Sequence, residues 1–302
     1  MRLRQFPDRE QFGRLAENSS VIPVCREILA DMETPVTILQ KIQGPDRPVF
    51  LLESMEGGER WGRYSFLGAS CRSRLQVFRR HVEVLQNGTV QKSPHHGDPM
   101  GFLRQFMQSF RPAVVPGLPR FWGGLVGYLT YEMVAFFEAI PNRLPETTPL
   151  AEFMLPDEIL IFDNLANTLM LVALIFTEDH SDTESAYRAA CAQLEAMNAR
   201  ILKPPAIEIA AAVKDGCHLT PGAEPEAFRR RVKTVKEYIR AGDIIQAVIS
   251  QPFRCRPAPD LVSLYRAQRY INPSPYLFFL HLDQMALIGD RKSTRLNSSH
   301  YS

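Results

Sequence analysis

Short apolar segments separated by turn residues crowd the stretch from residue 35 to residue 177, and this pattern limits the fold more than any other feature of the sequence. Its clearest signal is Asn87-Gly88, which lies between the apolar segments 82–85 and 90–92 and predicts a tight β-hairpin. The 23 prolines of the chain also favour turns over a helical bundle. Other strands are predicted at 35–43, 48–54, 64–67, 74–78, 121–131, 158–163 and 168–177.

Helical periodicity dominates the two flanks of this stretch. Residues 2–35 are predicted to be mostly helical, because Val24, Ile28 and Leu29 share one helical face. Further helices are predicted at 100–110, 183–202, 225–241 and 260–270, a strand at 243–253, and a hairpin from 275–282 and 284–288. The chain is therefore predicted to be an α+β protein with largely antiparallel β-sheets flanked by helices.

The helix stop at Lys203-Pro204-Pro205 marks a boundary. We expect an N-terminal domain over 1–202, a linker over 203–222 and the beginning of a second domain over 223–290. Residues 291–302 contain almost no apolar side chains and no strand or helix period, and we expect them to be a foreign tail.

Composition excludes several classes of protein. Lys and Arg number 35 and Asp and Glu 33, a balance that argues against a nucleic-acid or anionic-membrane partner. The N-terminus lacks the apolar region of a secretory signal, and the longest apolar stretch, 169–176, is too short to span a bilayer, so we expect a cytoplasmic protein. The five cysteines are scattered without a CxxC pair, which argues against a disulfide scaffold or a zinc site.

Three segments carry candidate chemistry. Leu52-Glu53-Ser54 ends a strand, where Glu53 could pair with a ligand ammonium group and Ser54 could donate or accept a hydrogen bond; a strand end with a capping serine is the simpler alternative. The glycine-rich run 122–128 has neither the G-x-G-x-x-G spacing of a dinucleotide-binding loop nor the Lys-Ser/Thr of a P-loop. Its glycines are therefore more simply explained by close backbone packing. The segment 272–276 contains two prolines and is either a simple turn or a rigid wall for a flat ligand.

Four longer stretches together resemble one family. They are FLLESMEGGERWGRYSFLG, FWGGLVGYLTYEMVAFFE, AGDIIQAVISQPF and INPSPYLFFL, and their order and spacing are similar to those of component I of anthranilate synthase, the chorismate-using subunit. The resemblance covers residues from about Phe6 to Gly289. Its nearest alternative is the aminodeoxychorismate synthase subunit of the folate pathway, which shares the later stretches.

The resemblance implies an activity. Such subunits add ammonia from a glutamine amidotransferase partner to chorismate and eliminate pyruvate, giving anthranilate for tryptophan synthesis, and they use Mg²⁺. L-Tryptophan inhibits them. The resemblance places the inhibitor between one wall of Leu52, Glu53 and Ser54 and another of Pro275, Tyr276 and Leu277, where the family usually has Met at the last position.

The resemblance ends at Gly289-Asp290. In the family, the catalytic residues, the carboxylates that hold Mg²⁺ and the chorismate-binding groups follow this point, so we assign no catalytic residue and no metal ligand within the 302 residues. We therefore expect this chain to be inactive as a synthase. A further alternative is a module that only binds tryptophan.

Overall fold

A computed structural model of the protein describes residues 2–44, 47–54, 62–204, 217–282 and 285–290. The chain forms two compact units, one of residues 1–206 with 265–302 and one of residues 207–264. The predicted tail, 291–302, lies outside the described residues, as does most of the glycine-rich stretch after Ser54.

Fifteen strands and six α-helices are named within the described residues. The strands are β1 (Arg2–Phe6), β2 (Val21–Leu29), β3 (Val49–Glu53), β4 (Tyr64–Gly68), β5 (Ser73–Val77), β6 (His81–Gln86), β7 (Thr89–Pro94), β8 (Val126–Leu129), β9 (Ala151–Leu155), β10 (Glu158–Asp163), β11 (Thr168–Phe176), β12 (His218–Pro221), β13 (Phe253–Arg256), β14 (Leu277–Leu282) and β15 (Met285–Gly289). The helices are α1 (Arg9–Ala16), α2 (Pro35–Ile42), α3 (Pro99–Gln108), α4 (Thr183–Leu202), α5 (Pro225–Ala241) and α6 (Leu261–Ile271), with short 3₁₀ turns at Tyr131–Phe136 and Thr177–Asp179.

An eight-stranded sheet forms the centre of the first unit. Its order is β1-β2-β11-β10-β4-β3-β14-β15, and every pairing between these strands is antiparallel. All nine residues of β11 are buried, because this central strand is covered on both faces. Helix α4 covers one of those faces and buries its own apolar stripe, Ala186, Ala190, Leu194, Met197 and Ile201.

A five-stranded sheet of order β7-β6-β5-β9-β8 forms the second layer of this unit. The predicted hairpin is confirmed: Asn87 and Gly88 have φ values of 50° and 75°, as a tight turn between β6 and β7 requires. Phe50 and Leu280 of the large sheet share a buried cluster with Val126 and Met154 of the small one, so side chains from both sheets fill the space between them. The predicted α+β class with antiparallel sheets is confirmed.

The prediction for residues 2–35 was wrong. Only α1 is helical there, and Val24 and Ile28 lie in β2, which is paired on both edges between β1 and β11. Burial on both faces makes such a strand almost continuously apolar, so residues four apart match a helical face by coincidence.

The predicted strand at 35–43 was also wrong, because this segment is helix α2. Its β-branched residues favour a strand, but Thr34 caps the helix by accepting from the backbone N–H of Thr37, at 3.1 Å, and Pro35 occupies the first turn. Burial of Ile38, Leu39 and Ile42 then stabilises the helix through tertiary packing.

In the second unit, the structure differs from the strand predicted at 243–253. Residues 243–252 are not a strand; only β13 follows, and it pairs with β12, which lies inside the predicted linker. Cys217 and Cys255 lie side by side at this ribbon, with their Cα atoms 5.9 Å apart. The proposed domain boundaries stay a prediction.

Candidate functional site

Strands β3 and β14 bring the two predicted walls of the inhibitor site together. Leu277 lies directly opposite Glu53, and Phe278 lies opposite Leu52. Because side chains alternate along a strand, Glu53 and Leu277 share one face of the sheet while Leu52 points to the other. There Leu52 packs against the apolar cluster between the two sheets.

The buried carboxylate of Glu53 is held by two side chains of α6. Its Oε2 accepts from the hydroxyl of Tyr265 at 2.8 Å and from Nε of Arg269 at 2.9 Å, and its Oε1 accepts from Nη2 of Arg269 at 3.0 Å. This fork is the strong bidentate arrangement of an arginine–carboxylate pair. The charge of Glu53 is therefore balanced inside the chain. The sequence analysis had considered it as a partner for a ligand ammonium group.

Tyr265 and Arg269 were not singled out from the sequence. The signal that could have found them is their spacing of four residues, which puts both on one face of α6. Tyr265 is completely buried, and its ring meets Phe279 of β14 edge to face at 5.9 Å.

The electrostatics of this trio favour a fixed ion pair. Burial, and then the negative charge of Glu53, raise the pKa of the Tyr265 hydroxyl, so it stays a hydrogen-bond donor. Burial lowers the pKa of Arg269, but the hydrogen bonds and charge of Glu53 outweigh burial and raise it. Arg269 thus stays charged across the physiological range.

A cavity of about 330 Å³ opens where β3 ends. Glu53, Ser54 and Arg269 form one wall. The other walls come from the residues before and at the start of α2, from the residue two before β4, and from the end of β10 with the turn that follows it; they are Ala30, Glu33, Thr34, Pro35, Gly62, Phe162, Asp163, Asn164 and Asn167. The lining combines both signs of charge with apolar surface.

Asp163 stabilises the wall of the cavity that is formed by the turn between β10 and β11. Arg63 donates to this carboxylate from Nε and Nη2, and the backbone N–H groups of Leu165 and Ala166 donate to Oδ1 at 3.1 Å each. Burial raises the pKa of Asp163, but these hydrogen bonds outweigh it and hold the pKa below its usual range. Asn164 donates to the carbonyl of Gly62 at 3.1 Å, so the two sides of the cavity mouth are tied together.

The predicted second wall is only partly placed near this cavity. Leu277 is buried next to Glu53, Pro275 is half-buried, and Tyr276 is 53% exposed, and none of the three lines the cavity. The corner before them is anchored by Asn272, whose amide donates to Oδ2 of Asp290 at 2.6 Å. The inhibitor-binding role of these residues stays a prediction.

The Mg²⁺ that the resemblance implies needs several oxygen ligands, such as carboxylates, close together. Across the described ranges, no three His, Cys, Asp or Glu side chains come close enough to hold a metal ion. The described residues therefore do not fit this ion. No helix in the same ranges is long and apolar enough to cross a membrane.

Comparison with known proteins gives the class of the chain. Residues 48–290 match the model of the chorismate binding enzyme family, and the chain belongs to that family. It is 37% identical over 289 residues to anthranilate synthase component 1 of Neisseria meningitidis serogroup B and 36% identical over 292 residues to that of Pseudomonas aeruginosa. Both alignments cover 93% of this chain, and 57% and 58% of the relatives.

A solved structure shares the fold. The crystal structure of anthranilate synthase component I from Streptococcus pneumoniae TIGR4 matches 87% of this chain and 56% of its own with a TM-score of 0.58, at 22% identity. The chain thus spans little more than half the length of the proteins it resembles, and the predicted family resemblance is confirmed.

Proposed function

We propose that this chain is part of an anthranilate synthase component I, a cytoplasmic enzyme that converts chorismate and ammonia to anthranilate and pyruvate for tryptophan synthesis. The family match and the names of the relatives support this proposal. It includes a glutamine amidotransferase partner that supplies ammonia and Mg²⁺ as cofactor, both taken from the resemblance.

Complementation tests the reaction. The gene, extended to the length of its relatives, is expected to restore growth of a tryptophan auxotroph and not of a p-aminobenzoate auxotroph. The reverse result would assign the chain to aminodeoxychorismate synthase instead.

The 302-residue chain by itself is expected to make no anthranilate. It spans 57% of the length of its Neisseria relative, and no metal-ligating cluster lies within the described residues. The measurement is anthranilate fluorescence after incubation with chorismate, ammonia and Mg²⁺. Product formation above a no-protein control would refute this expectation.

The cavity at the end of β3 is proposed to bind L-tryptophan as a feedback inhibitor. The observation that carries this proposal is the mixed lining: Arg269 and Asp163, each already in an ion pair within the chain, place charges of both signs at the wall, and Phe162 offers apolar surface. Glu53 contributes by holding Arg269 in place.

Calorimetry with L-tryptophan tests the site. Ser54→Arg, which puts a long cation into the cavity, is expected to abolish the heat of binding seen with the unchanged chain. Ser109→Arg is the matched control, because Ser109 is exposed at the end of α3, where a cation is favourable. Absence of binding by the unchanged, folded chain would remove the proposal.

A further inference from the structure

A second cavity, of about 270 Å³, lies apart from the site described above. Four buried apolar residues form its floor: Val21 of β2, Leu155 of β9, and Leu174 and Phe176 of β11. Met107 of α3 forms a side wall. No residue of the cavity that contains Glu53 and Ser54 lines this one. We call it the Trp122 cavity.

The glycine-rich run noted in the sequence keeps the Trp122 cavity open. Gly124 has a φ of 111°, which a residue with a Cβ adopts only with strain. A Cβ on Gly123 would lie 3.3 Å from Cδ1 of Leu174, which is part of the floor. Side chains at these two positions would therefore narrow the space, so the glycines have a role beyond close backbone packing.

Two polar groups lie at the rim. Arg120 and Trp122 both line the cavity, Arg120 exposed and Trp122 half-buried. Within the described residues, the guanidinium of Arg120 has no ion-pair or hydrogen-bond partner, and neither has the indole N–H of Trp122. Most arginines of the same unit that face a cavity are already paired, such as Arg4 with Glu27 and Arg269 with Glu53.

We infer that the Trp122 cavity binds a small aromatic carboxylate. The apolar floor suits a flat ring, the indole of Trp122 offers a stacking surface, and Arg120 supplies a cation with two parallel N–H donors for a carboxylate. The volume lies just below the range of roughly 300–1,000 Å³ typical of ligand pockets, which fits a ligand of one or two rings.

Calorimetry on the full 302-residue chain tests this inference with 1-naphthoate as the probe and 1-naphthamide as its neutral isostere. Saturable binding of 1-naphthoate is expected. Arg120→Gln should weaken it roughly tenfold through loss of a charged hydrogen-bonding pair, and should leave 1-naphthamide binding unchanged. The matched control is Arg104→Gln, because Arg104 is exposed on α3 outside the cavity.

A second variant pair tests the cavity itself. Met107→Trp fills the space and should abolish binding of both probes, whereas Met107→Leu keeps the volume and should retain it. Thermal melts confirm that each variant is folded. In a Trp61→Phe background Trp122 is the remaining tryptophan, and 1-naphthoate should quench its fluorescence.

Three results would overturn the inference. They are absence of saturable 1-naphthoate binding to the folded chain, equal affinity of the acid for the Arg120→Gln and Arg104→Gln variants, and retained binding in Met107→Trp. Ser54→Arg should leave 1-naphthoate affinity unchanged. A loss there would show that the probe occupies the Glu53–Ser54 cavity instead, and this too would overturn the inference.

Discussion

Helices α4 and α5 have similar sequence patterns and opposite surroundings. Both are amphipathic over 17 residues or more, and both were predicted from apolar residues at helical spacing. In α4 the five stripe residues are buried against the sheet. In α5 no residue is buried, and Ile239 at the end of its stripe is 42% exposed.

The ends of the two helices differ in the same way. Asp182 caps α4 by accepting from the backbone N–H of Ser185 at 2.7 Å, and the Ser185 side chain caps it in return. The N-cap of α5, Glu224, makes no side-chain hydrogen bond, and only Gly242 at its other end has the left-handed conformation of a helix stop. An apolar stripe thus predicts that a segment is helical and which of its faces is apolar. Whether that face is buried depends on partners elsewhere in the chain.

Truncation of one side chain in each apolar stripe should give the largest difference in stability between the two helices. Leu194→Ala in α4 leaves a cavity against β11 and should lower the free energy of unfolding by about 2–5 kcal/mol. Val235→Ala in α5 should change it by less than about 0.5 kcal/mol, because its side chain is only half-buried.

Urea unfolding followed by far-UV circular dichroism measures both variants. Equal destabilisation by the two substitutions would contradict the comparison, because it would mean that the stripe of α5 is covered as fully as that of α4.

Two ion pairs extend the comparison to charged groups. Glu53→Gln removes the charge that holds Arg269, and should cost about 2–3 kcal/mol, less than for a fully enclosed pair because Arg269 is partly exposed. Glu226→Gln in α5 removes the partner of Arg229, but both side chains are more than two-thirds exposed, so no measurable change is expected.

A double-mutant cycle of Glu53→Gln with Arg269→Gln assigns the loss to this pair. The cycle should give a coupling free energy well above that of the Glu226 and Arg229 cycle. Additive effects at Glu53 and Arg269 would show that the buried bidentate pair contributes no more than a surface pair.

The sequence predicted most strands and helices, and its failures have physical causes. The hairpin at Asn87-Gly88 and helix α4 follow from local signals. Residues 21–29 form a strand because they pair with β1 and β11, and this pairing cannot be seen in the local sequence pattern. In α2, a cap and tertiary burial outweighed β-branched residues that favour a strand.

The candidate site was predictable only in part. Leu52, Glu53 and Leu277 were identified through a family resemblance, and the structure brings them together across β3 and β14. The partners of Glu53 could not be found from its own segment, because Tyr265 and Arg269 lie more than 200 residues away on α6. The Trp122 cavity was missed because it depends on loops packed over a sheet.

The cap of α4 should respond to pH, and this is the smallest effect we expect. Hydrogen bonding from the backbone of Ser185 lowers the pKa of Asp182 in the folded chain. A carboxyl whose pKa is lower in the folded chain stabilises the protein at pH values above the unfolded pKa of about 3.9, and that stabilisation is lost as pH falls through the folded pKa.

Asp182→Asn keeps the capping oxygen but removes the group that titrates. Its urea midpoint should lie slightly below that of the unchanged chain at pH 7, and the difference should disappear near pH 2–3. A difference that persists in acid would show that the charge of Asp182 does not act through the cap of α4, and the contrast with α5, whose N-cap makes no side-chain hydrogen bond, would then rest on burial alone.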